Sequence, residues 1–467
     1  MTTATALADP PRAGGALEAL AGLTATTRLD DLPEAVVTKA GHHLLDTLGA
    51  ALAGARSTET AALVRMLTRT EPLAHAPVWG TELTLSARNA ALVNGVSAHA
   101  LELDDSGGCD HSGAVVVPAA LAALHTTHRP VSGAQLLTAV VVGYDVARRV
   151  LESLGGYTPH NRAGWHSTGT CGPFGAAAAA CSVLGLDARV SANALALAAS
   201  SSSGIWAFVH DGAMSKRLHA GRAAEAGLTA ALLAAQGVTG PGRIFDDVWG
   251  GFLSTLAPTS ADAAALTKDL GHRWRITRCS IKPYASCRST HSSVDAVATL
   301  LNTHRLTHAD IAAIHVRLNA FVHGMCGGTD VRSLAAAQLS LPYAVAARVA
   351  LGTAGLDAYD EDNRNTPHVR SVMERIVLDV DPTMDSDTEP VITVTTRDGA
   401  THRTQVSDPL GSATNPLDER TVIAKFQELA TRVLPAPQAR TVADTACSLP
   451  ALDDARTLLR LLAAPRR

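Results

Sequence analysis

Apolar positions recur at helical spacing from about Leu17 to Leu270. The stretch Leu32 to Leu52 opens after Asp30-Asp31, and Pro33 suits a first helical turn, where its missing N–H costs nothing. Ala87 to Leu101, Val115 to His125, Gln135 to Leu154, Ala176 to Leu184, Ala188 to Ala199 and Gly221 to Gln236 continue the pattern, separated by Gly, Pro and Ser-rich turns. Several are apolar nearly all round, which predicts helices buried inside a multi-helix bundle. After Trp274 the period changes. Short alternating stretches appear at Ile311 to Asn319, Arg375 to Val380, Pro390 to Thr396 and His402 to Val406, and Asp398-Gly399 marks a hairpin turn. Helical stretches Ser292 to Leu301 and Ser333 to Leu351 lie among them, and helical pattern resumes at Thr421 to Val433 and Ala439 to Cys447. The expected fold is mainly α with an α+β insertion. A large all-helical domain, from residues 17–279 and 413–467, carries a smaller α+β domain over residues 280–412. Residues 1–16 read as a disordered N-terminus, because Asp9 and Pro10-Pro11 replace the basic start and apolar run of a signal peptide.

Composition narrows the function classes. Of 467 residues, 46% are hydrophobic and 18% charged, enough to bury a large core, and aromatics at 3% favour close-packed small side chains. The net charge of -4 argues against nucleic-acid binding, which needs a basic face, but leaves room for a local cationic pocket. No run of about 18 apolar residues predicts a membrane span. Seven scattered cysteines without a C-x-x-C pair support neither a disulfide framework nor a zinc or iron–sulfur centre, so a reducing cytoplasm is expected.

Four clusters carry candidate chemistry. In the first, a helix runs through His99, Glu102, Asp104, Asp105 and Ser106 into Gly107-Gly108 and ends on Asp110-His111. Such density suits a loop holding an acid/base histidine, His111, with Asp104 or Asp105 orienting it; helix-capping carboxylates on a solvent loop explain it as well. A divalent metal there lacks any H-E-x-x-H or EF-hand spacing, and none is expected. In the second, Gly164 to Gly172, small residues let backbone approach a ligand near His166; a tight packing turn is the alternative. In the third, Lys216 stands between strongly apolar stretches, where an unpaired ammonium is costly and a carboxylate ligand offsets the cost. Lys216, His219 and Arg222 share helical spacing, so only one or two of them face a pocket. The fourth, Ser280 to His291, offers Arg288 as a bidentate carboxylate grip and His291 for proton transfer, or else an ordinary boundary loop.

Together, NGVSAHALELDD with HSGAVVVPAALA, then GWHSTGTCGPFGAAAAA, then MSKRLHAGRAAEAG with GVTGP, then IKPYASCRSTHSSVDA resemble the MmgE/PrpD family, which includes 2-methylcitrate dehydratases, cis-aconitate decarboxylases and iminodisuccinate epimerase. The resemblance spans about Leu17 to Leu462. It implies a large helical domain with a smaller lid, a homodimer through the helical domain, and no metal or organic cofactor. It places catalytic positions at His111, His166, Lys216 and His291, and a further polar position near His323. Glu102, Asp104, Asp105, Ser106 and Arg288 complete the expected substrate contacts. The first loop departs from the family's D-F-D-D-T: Glu102-Leu103-Asp104-Asp105-Ser106 stands there, one residue is missing, and Ser112 replaces a common proline.

The chemistry so implied is carbanion-like chemistry beside a carboxylate, in which cations hold developing enediolate charge and imidazoles move the proton. The expectation is a cofactor-independent lyase, dehydratase or decarboxylase, on a small di- or tricarboxylic acid. An epimerase of a substituted succinate is the alternative within enzymes, and a non-catalytic carboxylate-binding relative the alternative outside them.

Overall fold

The computed structural model describes residues 15–72 and 74–464. The expectation for residues 1–16 lies outside the described residues as far as residue 14; Ala16 already opens a helix, Ala16–Thr26.

The chain is mainly helical, with a small mixed sheet in its C-terminal half. The helix Gly113–Ala123 sits at the centre of the larger core, all of it buried. Around it pack Ala87–His99, Gly133–Ser153, Ser167–Leu184 and Ser215–Ala235. Small residues set the spacing. A Cβ on Gly95 would lie 2.8 Å from Gly221 Cα and 2.9 Å from the Ala114 carbonyl oxygen. The helix that leads into Glu102 and the one that carries Lys216 therefore touch backbone to backbone, which only glycine permits. The last helices return to this layer: Glu419–Ala430 packs on Glu34–Gly54, where Lys425 Nζ donates to Asp46 Oδ1 at 2.5 Å and to the Leu103 carbonyl at 2.7 Å.

The smaller region has a four-stranded sheet in the order Ile376–Val380, Ile311–Leu318, Val391–Thr396, Thr401–Gln405. The first pair is parallel and the others antiparallel, with Ile314 opposite both Ile376 and Val394. Gly399, at φ 89°, makes the tight turn of the last hairpin. The helix His291–His304 covers one face of the sheet and Leu341–Leu351 packs on that helix.

Some elements begin or break at other places than the sequence reading, and the helix Thr58–Thr70 is not among its stretches. The helix predicted from Ala176 begins at Ser167. Gly169, Gly172 and Gly175 look like turn residues, yet they serve close packing: a Cβ on Gly175 would meet Ala147 Cβ at 2.6 Å. The helix predicted from Gly221 begins at Ser215, so Lys216 lies in its first turn. The single stretch Ser333 to Leu351 is two helices, Leu334–Gln338 and Leu341–Leu351, broken where Ser340 caps the second and Pro342 enters its first turn. No helix among the described residues is long and apolar enough to cross a membrane.

Candidate active site

The loop from Ala100 to Ser112 is held from several sides. Ser106 and Ser280 exchange backbone hydrogen bonds of 3.0 and 2.8 Å, tying the first motif to the fourth. Asp105 is a structural hub: Oδ2 lies 3.1 Å from His43 Nδ1, and Oδ1 accepts from the Gly113 N–H at 2.9 Å. Two non-glycine residues of this loop have positive φ, Glu102 at 53° and Asp110 at 95°. Such conformations cost free energy and persist where the surroundings over-determine them, often at functional sites.

Glu102 is fully buried beneath a crown of cations. Lys216 Nζ donates to its Oε1; Lys282 Nζ lies 3.4 Å from Oε2 and donates to the Glu102 carbonyl at 3.1 Å; Arg217 Nη1 stands 3.8 Å from Oε1. Burial works against the Glu102 carboxylate, but Lys216 and Lys282 outweigh it and hold its pKa well below the usual range. Three buried cations facing one carboxylate leave a local excess of positive charge.

Beside this crown runs a chain of imidazoles. His111 Nδ1 lies 3.0 Å from Asp104 Oδ2 and from the Asp105 carbonyl, and His111 Nε2 lies 3.3 Å from Asp110 Oδ2. Burial opposes its charge, yet Asp110 and Asp104 prevail and raise its pKa, so the imidazolium is favoured. Asp104 also meets His99 Nδ1, at 3.0 Å. Burial pushes His99 down to about 3, and it is neutral. His166, at the N-cap of the Ser167–Leu184 helix, has the opposite fate to His111. Burial first, then His219 and Lys216, hold its pKa well below the ordinary value. Its Nδ1 is 2.9 Å from His219 Nδ1, while its Nε2 lies 3.9 Å from Asp110 Oδ2. His219 is itself lowered to about 4, mainly by burial. The His111 and His166 ring centres are 6.2 Å apart. Trp206 and Phe208 wall His166 at 5.2 and 5.4 Å. Among the buried nitrogens without a hydrogen-bond partner are His99 Nε2, His166 Nε2, and Arg217 Nε and Nη1.

The structure thus brings His111, His166, Lys216, Glu102 and Asp104 together, with Asp105 and Ser106 bracing the loop. The other expected residues have partners of their own, and of these His291 lies close enough to Lys282 to feel its charge. His291 is buried, but its Nε2 meets the Ser286 carbonyl at 3.3 Å and its ring packs edge-on against Tyr284. Arg288 Nη1 donates to Glu389 Oε1 at 3.0 Å. His323 is exposed on the short helix Ala320–Cys326. Arg222, in the Ser215–Ala235 helix, points outward to Glu225 at 3.3 Å.

Several participants escape sequence reasoning. Lys282 and Cys287 join the fourth motif to the cluster, with His291 buried near Lys282. The Cys287 thiol is lowered, first by a hydrogen bond with Cys326 and then, against burial, by Lys216. Asp110 stood in plain view beside His111, but its reach to two imidazoles depends on its positive φ. Gln338 carried no motif signal. Among the described residues, two groups of side chains have the right donor atoms within 4.8 Å of one another to hold a metal ion: His99, Asp104 and His111, and Asp110, His111 and His166.

Two family models match the chain: the MmgE/PrpD N-terminal domain over residues 18–263 and the MmgE/PrpD C-terminal domain over residues 284–449. A cis-aconitate decarboxylase-like protein of Aspergillus oryzae is 29% identical over 455 residues, covering 92% of this chain and 94% of the relative. The cis-aconitate decarboxylase of Aspergillus terreus is 27% identical over 460 residues, with 93% of each chain covered. The human cis-aconitate decarboxylase is 27% identical over 461 residues, covering 94% of this chain and 92% of the relative.

Proposed function

Since the chain belongs to the MmgE/PrpD family, we propose that it is a cofactor-independent lyase acting on a small di- or tricarboxylic acid, with a decarboxylase as its first reading. The observation that carries this is the buried cation excess of Lys216, Arg217 and Lys282 around Glu102, set against neighbouring imidazoles whose environments drive their pKa values apart. A pair of titratable groups pushed in opposite directions is how one site supplies both an acid and a base near neutral pH.

In this reading a substrate carboxylate docks at the Lys216 end, where the ammonium stabilises enediolate charge as it develops. The C–C bond to the departing carboxylate breaks, its electron pair passes into the conjugated acid, and His111 delivers the proton to carbon. Asp104 and Asp110 keep His111 charged for that step. His166, neutral and donating its Nδ1–H to His219, keeps the Nε2 lone pair free as a base. Decarboxylation needs the acid alone; dehydration needs both groups. A second reading, an isomerase, draws on the 6.2 Å separation of a charged and a neutral imidazole, which suits removing and returning one proton from two directions. We also propose a cytoplasmic homodimer, for which the fully exposed Trp249 and the exposed Met214 and Leu233 offer apolar surface.

The test is mass spectrometry of reactions with di- and tricarboxylates, cis-aconitate included, in deuterated water. Carbon dioxide release with one deuterium gained at carbon is the expected result. Deuterium exchange without carbon dioxide or water loss favours the isomerase. Tight binding with no turnover across the panel overturns catalysis and leaves a carboxylate-binding relative.

A further inference from the structure

Lys216 and Arg217 are adjacent in the first turn of the Ser215–Ala235 helix, and side chains one residue apart on a helix ordinarily face different ways. Here both are about 1% exposed and both reach towards Glu102 Oε1. Both side chains thus turn to the same carboxylate. Lys216 is paired there. Arg217 makes only a longer ion pair with it, at 3.8 Å, and its buried Nε and Nη1 have no hydrogen-bond partner. Leaving donors of a buried guanidinium unmade is costly, so they point to something that completes them.

What holds Arg217 in place comes from the smaller region. Gln338 Oε1 accepts from Arg217 Nη2 at 2.6 Å, and Gln338 Nε2 donates to the Leu101 carbonyl at 2.7 Å. The Gln338 carbonyl also accepts from the Cys287 N–H at 2.8 Å. One fully buried residue thereby fastens Arg217 to the loop beside Glu102 and to the turn carrying Cys287.

We propose that Arg217, oriented by Gln338, binds a second carboxylate of the substrate, so that the site selects acids with at least two carboxylates. This rests on the proposed function, which supplies Lys216 as the holder of the first carboxylate. A carboxylate has the charge and the acceptors that the unpaired Nε–H and Nη1–H lack, and Arg217 recognises it by direct hydrogen bonds as well as by charge.

The test is calorimetric titration of the full-length protein with succinate, propane-1,2,3-tricarboxylate and butyrate, a monocarboxylate of succinate's length. The wild type is expected to bind succinate about tenfold or more tightly than butyrate, as a site with a dedicated polar partner does. Arg217→Gln should bring that preference to about threefold or less. Arg217→Lys, which keeps the charge, serves where Arg217→Gln fails to fold by circular dichroism, and should lose part of the preference. Gln338→Met should weaken succinate while sparing butyrate. Arg222→Gln, on the exposed side of the same helix, should match the wild type. Undiminished preference in the folded Arg217 variants overturns the proposal and leaves the lyase reading standing. A wild type that binds none of the three acids overturns the reading and the proposal with it.

Discussion

The helical region and the smaller α+β region contribute to the candidate site in different ways. From the helical side come side chains that meet each other: Glu102, Asp104 and His111 in one loop, His166 at a helix N-cap, Lys216 and Arg217 in a first turn. From the other side, the polar residues that stand out in the sequence have other hydrogen-bond partners or face solvent. Arg288 is engaged by Glu389, His291 by the Ser286 carbonyl, and His323 faces solvent. What that side supplies is Lys282, Cys287 and Gln338, which brace rather than advertise. The difference teaches that the helical layer brings most of the interacting side chains of a buried ionic cluster, while the adjoining region adds one cation, Lys282, and fastens the rest.

The largest effect that would break this contrast is at Lys216. Lys216→Ala should lower kcat/KM by about a thousandfold while circular dichroism stays native, the order expected on removing a group that holds developing charge. Near-normal turnover would remove Lys216 from the mechanism. Next is the pH profile. The raised pKa of His111 keeps the acid present as pH climbs past the ordinary imidazole value and loses it above the raised one; the lowered pKa of His166 keeps the base neutral well into the acid range. Activity should therefore fall on the alkaline side as His111 loses its proton. Asp110→Asn removes the first of the charges that raise His111, and should move that limb about one unit towards acid. An unmoved limb would disconnect Asp110 from His111.

On the other side of the comparison the effects should be small and of another kind. His291→Gln should lower Tm by a few degrees, through loss of a buried contact, and change kcat/KM by about threefold or less. A hundredfold loss of activity with unchanged Tm would put His291 back among the reacting groups. Smallest of all, His323→Ala should stay within about twofold on every carboxylate, and overnight dialysis against a chelator should leave activity unchanged. Loss of activity that returns with an added divalent ion would support the metal-binding reading of His99, Asp104 and His111.

Much of this was legible in the chain. Helical periodicity located the bundle, period-two alternation located the sheet strands within a residue or so, and the crowd of acids and imidazoles between His99 and His111 marked the loop. What stayed hidden depends on three dimensions. The glycines of Ser167–Leu184 read as a turn because their packing partner, Ala147, is remote in sequence. Arg217 drew no reading of its own, since sequence does not show that it shares Glu102 with Lys216. Gln338 lies 237 residues from the Leu101 carbonyl that it binds, with no local pattern to flag it. Arg288 and His291 looked better than Lys282 because bidentate and titratable side chains attract notice, whereas their backbone positions aim them at Glu389 and Ser286.

Lys425 reaches from the helix Glu419–Ala430 to the carbonyl of Leu103, across 322 residues. A chain leaving the ribosome therefore carries its acids and imidazoles for most of its synthesis with that clasp still unmade. Removing the residues from 419 onward should therefore yield material that collapses without turning over substrate.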